Sequence, residues 1–159
     1  MEYEELESVW QHTGGGFSSK YPAPGFQKAA IATYFGYVAN SLPANKPPAG
    51  YNATGRGFPD ISFPSVGFRV QAGGVWQSLQ NYVGGTSASC PVAGGFFSNV
   101  NAARLAEGKG SLGWVTPALY TYAPLFVNDI TTGNNAQCAG AVGFYATTGW
   151  DPASGKLTD

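Results

Sequence analysis

Charge is the scarcest ingredient of this 159-residue chain. Only 8 Lys and Arg stand against 9 Asp and Glu, a formal net charge of -1. That leaves no basic footprint for nucleic acid or for a membrane surface, so neither is expected as a partner. The longest apolar runs fall far short of the roughly 20 residues that span a bilayer. Histidine occurs once, as His12, and cysteine twice, as Cys90 and Cys138. Two cysteines leave the redox compartment open, and whether they form a bridge is not decided by their spacing. The first residues, Met1 to Glu7, are acidic and lack the basic start and apolar stretch of a signal peptide. If Met1 is the true start, a cytosolic product follows.

What is abundant is glycine, with 23 residues, and proline, with 11. The composition is that of a turn-rich, compact chain rather than a disordered tail, long enough for one domain with a real core or for part of a larger one. Residues 1–13 read as an acidic lead-in whose glutamates form a solvated face. His12 precedes Thr13 and three glycines, in surroundings unlike those of a subtilisin base. Gly14 to Ser18 is a strand or loop able to approach a ligand by its backbone. Gly25 to Asn40 is predicted helical, with Phe26, Ala30, Tyr34 and Tyr37 on one face.

Ser41 to Gly57 reads as loop, and Asn52-Ala53-Thr54 within it is an N-glycosylation sequon, meaningful only in a secreted chain. Asp60-Ile61-Ser62-Phe63 is a short strand in which Asp60 serves as a structural hydrogen-bond acceptor. Val66 to Gln71 and Val75 to Leu79 form a hairpin about Ala72-Gly73-Gly74. Pro117 to Tyr122 is a short helix with proline in its first turn.

The stretch from Gly84 to Gly95, GGTSASCPVAGG, runs from a tight turn into a helix. Val92, Phe96, Val100 and Ala103, widened by Ala93 and Phe97, predict one buried face to about Leu105. Gly94 and Gly95 weaken that helix by about 1 kcal/mol each unless close packing recovers it. Ser87 then stands at the helix N-terminus, where unpaired N–H groups and the dipole favour a nascent anion. A plain helix cap by Thr86 or Ser87 explains Gly-Thr-Ser equally well when it is taken alone.

The longer match is more specific. Gly-Thr-Ser-Ala-Ser-x-Pro-Val at 85–92 resembles the nucleophile motif of the sedolisins, the serine-carboxyl peptidases that include tripeptidyl peptidases. Gly14-Gly15-Gly16-Phe17-Ser18, Tyr21-Pro22-Ala23-Pro24 with Phe26-Gln27, Gly55 to Ser62, Asp129-Ile130-Thr131 and Gly149-Trp150-Asp151-Pro152 resemble further segments of that family, in its order. The resemblance implies an α/β, subtilisin-like three-layer fold with a mostly parallel sheet, of which residues 14–159 are the C-terminal half. It implies Ser87 as nucleophile toward a peptide or protein substrate, and a lysosomal or extracellular setting. In sedolisins a glutamate is the base, an aspartate orients it and another aspartate serves the oxyanion hole. With carboxylates of reference pKa about 4.3 in these roles, such chemistry runs in acid. Those acids lie upstream of the Gly-Gly-Gly-Phe-Ser block, so the missing N-terminal half becomes an implied partner.

The resemblance also implies a calcium site formed by the Asp129 and Asp151 carboxylates and the Ile130 and Gly149 carbonyls. Calcium takes six to eight hard oxygens, which glycine-rich loops supply readily. Asp in such loops more often makes a turn of its own. A further carbonyl usually comes from a glycine where this chain has Thr147. The alternative is a catalytically dead module that binds peptides or partners through the edge left by the missing half.

Overall fold

The computed structural model describes residues 8–40, 47, 49–78, 84–136 and 143–157. The acidic residues 1–7, Leu79 and Cys138 lie outside these. Strand β1 (Gly16–Pro22) leads into helix α1 (Gly25–Ala39), and β2 (Gly55–Phe58) returns antiparallel to β1, with Phe17 opposite Gly57. β3 (Ile61–Ser62) precedes the hairpin β4 (Arg69–Ala72) and β5 (Val75–Ser78). The two glycines between β4 and β5, at φ 61° and 77°, make the left-handed two-residue turn that antiparallel strands favour. The long helix α2 (Thr86–Ala106) and short α3 (Thr116–Tyr122) follow, then a 3-10 turn (Ala123–Leu125) and β6 (Lys156–Leu157).

The class is α/β. The single, mostly parallel sheet expected from the sequence is not what the described residues form. They make three separate two-stranded pairs, and only β3 with β6 runs parallel. That pair joins residues 95 positions apart (61 to 156) and is two residues long.

The core gathers where α1, β1 and the C-terminal segment meet. Ile31, Tyr34 and Val38 of α1 pack with Val9, Phe144, Ala146, Trp150 and Ala153. Phe17 sits among them, its ring centroid 5.3 Å from Phe35, 5.4 Å from Tyr51 and 5.5 Å from Phe144. The buried face of α1 is Gln27, Ile31, Tyr34 and Val38, so the expected face is rotated and Tyr37 is exposed. Gln27 explains the shift. Its fully buried amide accepts from Gly57 N (3.0 Å) and donates to Gly57 O (2.7 Å), so the polar side chain mimics a strand partner for β2. A side chain at Gly57 would stand 2.3 Å from Trp150 Cη2, which is why that strand position is bare.

Residues 8–13, the end of the acidic lead-in read from the sequence, are docked. Val9 N–H donates to Thr132 O (3.1 Å), Val9 is in the core, and Thr13 Oγ1 donates to Ala153 O (3.0 Å).

α2 departs most from expectation. None of its residues is buried, and Phe96 remains 39% exposed despite ring contacts with Phe63 and Phe97. Of the named elements β3 makes the main contact with this helix, and the loop after α2 returns to its last turns, where Leu112 N–H donates to Asn101 Oδ1 at 2.8 Å. Nothing stands within 4 Å of the bare faces of Gly94 and Gly95, so no close packing offsets their cost in helix propensity.

Candidate active site

The turn into α2 is built by glycine. Gly85, the residue before the helix, has φ 102°, a conformation that side chains resist. Its N–H donates to Ser65 O (2.5 Å) and its carbonyl accepts from the Ala88 and Ser89 amides. The Trp10 ring lies 3.2 Å from where a Cβ would sit on Gly85. Gly85→Ala is therefore expected to lower stability by about 1–2 kcal/mol, read from the urea midpoint at constant slope.

Ser87 is the second residue of α2 and is exposed. Neither Thr86 nor Ser87 caps the helix through its side chain. Among the described residues the Ser87 hydroxyl and the Thr86 and Ser87 amides have no hydrogen-bond partner. Pro91 adds a further gap, because it has no N–H to return to the Ser87 carbonyl four residues back. The hydroxyl thus stands beside free amides at the positive end of a 21-residue helix. Two residues on, Ser89 fastens the helix: its Oγ donates to Phe63 O (2.8 Å) and accepts from Phe63 N (3.2 Å). Sequence reasoning passed over Ser89, whose only signal was its place in the motif. Cys90 is a free, exposed thiol.

No base reaches Ser87 from the described residues. Asp60 is committed elsewhere: Arg56 Nη2 donates to both of its oxygens at 2.6 Å, and the Tyr120 hydroxyl donates to Oδ1 at 2.7 Å. Gln27 Nε2 in turn donates to that hydroxyl (2.6 Å), so α1, β2 and α3 share one polar network. Burial, then the Asp60 charge and hydrogen bond, raises the Tyr120 pKa well above its ordinary value and keeps the phenol a donor. Glu107 pairs with Lys109 at 2.5 Å. His12 is exposed beside the Trp10 ring, 5.0 Å between centroids.

The other two acids meet one short segment. Asp129 Oδ2 accepts from Gly149 N–H at 2.6 Å. Asp151 is fully buried, and its two oxygens accept from the amides of Thr147 (3.2 Å), Ala153 (2.9 Å) and Ser154 (2.7 Å) and from Ser154 Oγ (2.9 Å). Burial pushes its pKa up to about 6, against the pull of those four bonds. Desolvation also raises Asp129, opposed by the Gly149 bond and the Lys156 charge. No three His, Cys, Asp or Glu converge among the described residues, so a metal here would rest on two carboxylates and carbonyls. The carbonyls of Ile130, Thr147 and Gly149 are free of hydrogen bonds among those residues, and the buried Thr147 Oγ1 has no partner. These are hard oxygens of the kind calcium takes, and the donor set fits it. The four acceptor positions of Asp151 are filled, so it becomes a ligand only by releasing one donor.

The chain is 41% identical over 153 residues to aorsin of Aspergillus oryzae and 39% over 152 residues to physarolisin of Physarum polycephalum. It is 35% identical over 147 residues to tripeptidyl-peptidase 1 of Homo sapiens. These alignments take in 92%, 92% and 90% of this chain. A Pseudomonas sedolisin, a serine-carboxyl proteinase solved with two molecules of pseudo-iodotyrostatin, matches its fold with a TM-score of 0.66 and 27% identity over 95% of the chain. The chain belongs to the sedolisin family.

It spans only 22–25% of the length of those sequence relatives and 38% of the Pseudomonas sedolisin chain. No protein-family model matches it. Within this sedolisin segment Ser87 and the Asp129–Asp151 turn occupy separate elements, with Ser87 on α2 and the turn in the loops that close the core. Among the described residues no helix is long and apolar enough to cross a membrane.

Proposed function

We propose that this chain is the nucleophile-bearing, C-terminal portion (residues 14–159) of a sedolisin-type serine peptidase, an endopeptidase or tripeptidyl peptidase acting on peptide bonds at acid pH. The observation that carries the reading is an exposed Ser87 hydroxyl that, among the described residues, is unbonded and stands beside unpaired amides at the start of α2, in a chain similar to peptidases along its length. In this reading Ser87 Oγ attacks the scissile carbonyl and the Ser87 amide helps hold the oxyanion. The proton acceptor comes from carboxylates in the remainder of the protein, because the described acids here are bonded elsewhere.

The same remainder would cover α2 and extend β3 and β6 into a mostly parallel, three-layer subtilisin-like sheet, which supplies a reason for the uncovered Phe96. A lysosomal or extracellular setting goes with an acid optimum. The test compares peptide cleavage at acid pH by the 159-residue chain alone and by a polypeptide extended upstream through the acidic motifs. Little or no turnover is expected from the first and turnover from the second. Full activity of the short chain, abolished by Ser87→Ala, would show the upstream acids to be dispensable; an inactive extended protein that binds peptides would favour the binding-module reading.

Calcium, when bound, would neutralise two carboxylates and pin the 147–151 segment to the 129–130 loop. Asp129 and the Ile130 and Gly149 carbonyls would hold it, with Asp151 and the Thr147 carbonyl completing the set. At a calcium concentration one hundred times Kd the stabilisation is about 2.7 kcal/mol, visible as a rise in Tm. Asp129→Asn is expected to erase most of that rise, and identical melting curves for the two proteins with and without calcium would remove the site.

A further inference from the structure

We propose that the Ser154 hydroxyl is a releasable donor on Asp151: it holds the carboxylate while calcium is absent and gives it up when the ion binds, and so limits the calcium affinity of the loop. The inference rests on the calcium site proposed above and deepens it. Asp151 is buried and its four acceptor positions are taken, so an incoming cation must displace one donor. Three of the four are main-chain amides, those of Thr147, Ala153 and Ser154. The fourth is the Ser154 hydroxyl, which donates to Oδ2 at 2.9 Å.

An amide turns away only with its whole peptide plane, and the planes on both sides of this turn are tied down. Ala146 N–H donates to Gly133 O (3.0 Å), Gly155 N–H to Asp151 O (2.8 Å) and Lys156 N–H to Asp60 O (2.8 Å). Ser62 Oγ donates to Ser154 O at 2.5 Å, which fixes the backbone of Ser154 to β3. Of the four donors the hydroxyl alone swings about single bonds. A second acceptor is close by: Gly155 O lies 3.5 Å from Oγ and also takes the Asp151 amide at a long 3.4 Å. A hydroxyl carries one hydrogen, so it serves one of these two oxygens well at a time. Moving that hydrogen from Oδ2 to Gly155 O frees a lone pair of Asp151 and strands no buried group. Oδ2 is also the oxygen that meets Thr147, whose carbonyl belongs to the proposed ligand set.

A hydrogen bond to a charged oxygen is stronger than one to a neutral carbonyl, so the exchange favours the calcium-free form. Partners behind a metal ligand ordinarily strengthen it, and their removal weakens binding about 10–100-fold. Ser154 acts the other way, which makes the test one of sign. The full-length protein and its Ser154→Ala, Ser154→Cys and Ser154→Thr variants are stripped with chelator, titrated with calcium by calorimetry at one pH, and melted with and without the ion. Ser154→Ala should bind calcium roughly threefold to tenfold more tightly. Its Tm should be lower than wild type in chelator, with the gap narrowing at saturating calcium. Ser154→Cys, a weak donor of similar size, should also bind more tightly and carries the test if the alanine variant does not fold. Ser154→Thr keeps the hydroxyl and should stay close to wild type. Affinity equal to or weaker than wild type in the Ala and Cys variants would overturn the proposal, while wild-type binding that Asp129→Asn sharply weakens would leave the calcium site standing. A wild-type protein that binds no calcium, or binds it undiminished with Asp129→Asn, would remove the site and this role with it.

Discussion

Ser87→Ala in the full-length peptidase is expected to lower kcat by at least about a thousandfold while leaving Tm nearly unchanged. The separation of the two effects follows from the geometry. An exposed hydroxyl that accepts and donates no hydrogen bond among the described residues contributes little to the fold, and such surface changes usually lie within about 0.5 kcal/mol. A helix-capping serine would behave in the opposite way, losing about 1 kcal/mol with activity intact. Measuring kcat and the denaturant midpoint on the same preparation decides between nucleophile and cap. Ser89→Ala supplies the contrast, since its two bonds to Phe63 hold the helix and its removal should cost stability first.

Asp151→Ala is expected to be among the most damaging single changes to stability, roughly 3–5 kcal/mol. Removing the carboxylate leaves the buried Thr147, Ala153 and Ser154 amides without their acceptor. The charge itself carries a pH signature. The folded pKa of about 6 lies above the ordinary 3.8, so between those values the folded state holds more protons than the unfolded one. Stability from this group therefore falls as pH rises from about 4 to about 6, by up to about 3 kcal/mol in calcium-free buffer. Asp151→Asn should flatten that portion of the profile. A profile of unchanged slope would mean that Asp151 is ionised without penalty.

The parts of this fold that local sequence dictates were legible. Gly73 and Gly74 announced the β4–β5 hairpin because only a left-handed turn closes two twisted strands so tightly. The helical period from Val92 to Ala103 and the proline at the head of α3 located both helices. What depended on distant partners was not legible. Gln27 was left out of the expected apolar face of α1, and only β2, thirty positions away, turns it into the polar centre of the core face. Val9 was hidden among glutamates, although its backbone and side chain dock on the loop at Thr132. The apolar stripe of α2 promised burial that the described part of this chain does not supply.

The site shows the same division. The helix start at Ser87 was legible because glycine and small residues are local features, while the nucleophile role proposed for Ser87 came from the resemblance alone. Asp129 and Asp151 were recognisable as a pair by resemblance, yet the four bonds that Asp151 makes within residues 147–154 gave no signal beyond a polar turn. The Arg56–Asp60–Tyr120 network left no periodic trace at all, since it joins three elements through single side chains.

The most direct test is to trap the covalent intermediate. The full-length enzyme is mixed with a peptide ester at acid pH, quenched in strong acid within the first turnover, digested and mapped by mass spectrometry. The acyl group should be found on Ser87 and nowhere else. An acyl group on another residue, or steady turnover with no acylated peptide at any quench time, would contradict the assignment of the α2 serine as nucleophile.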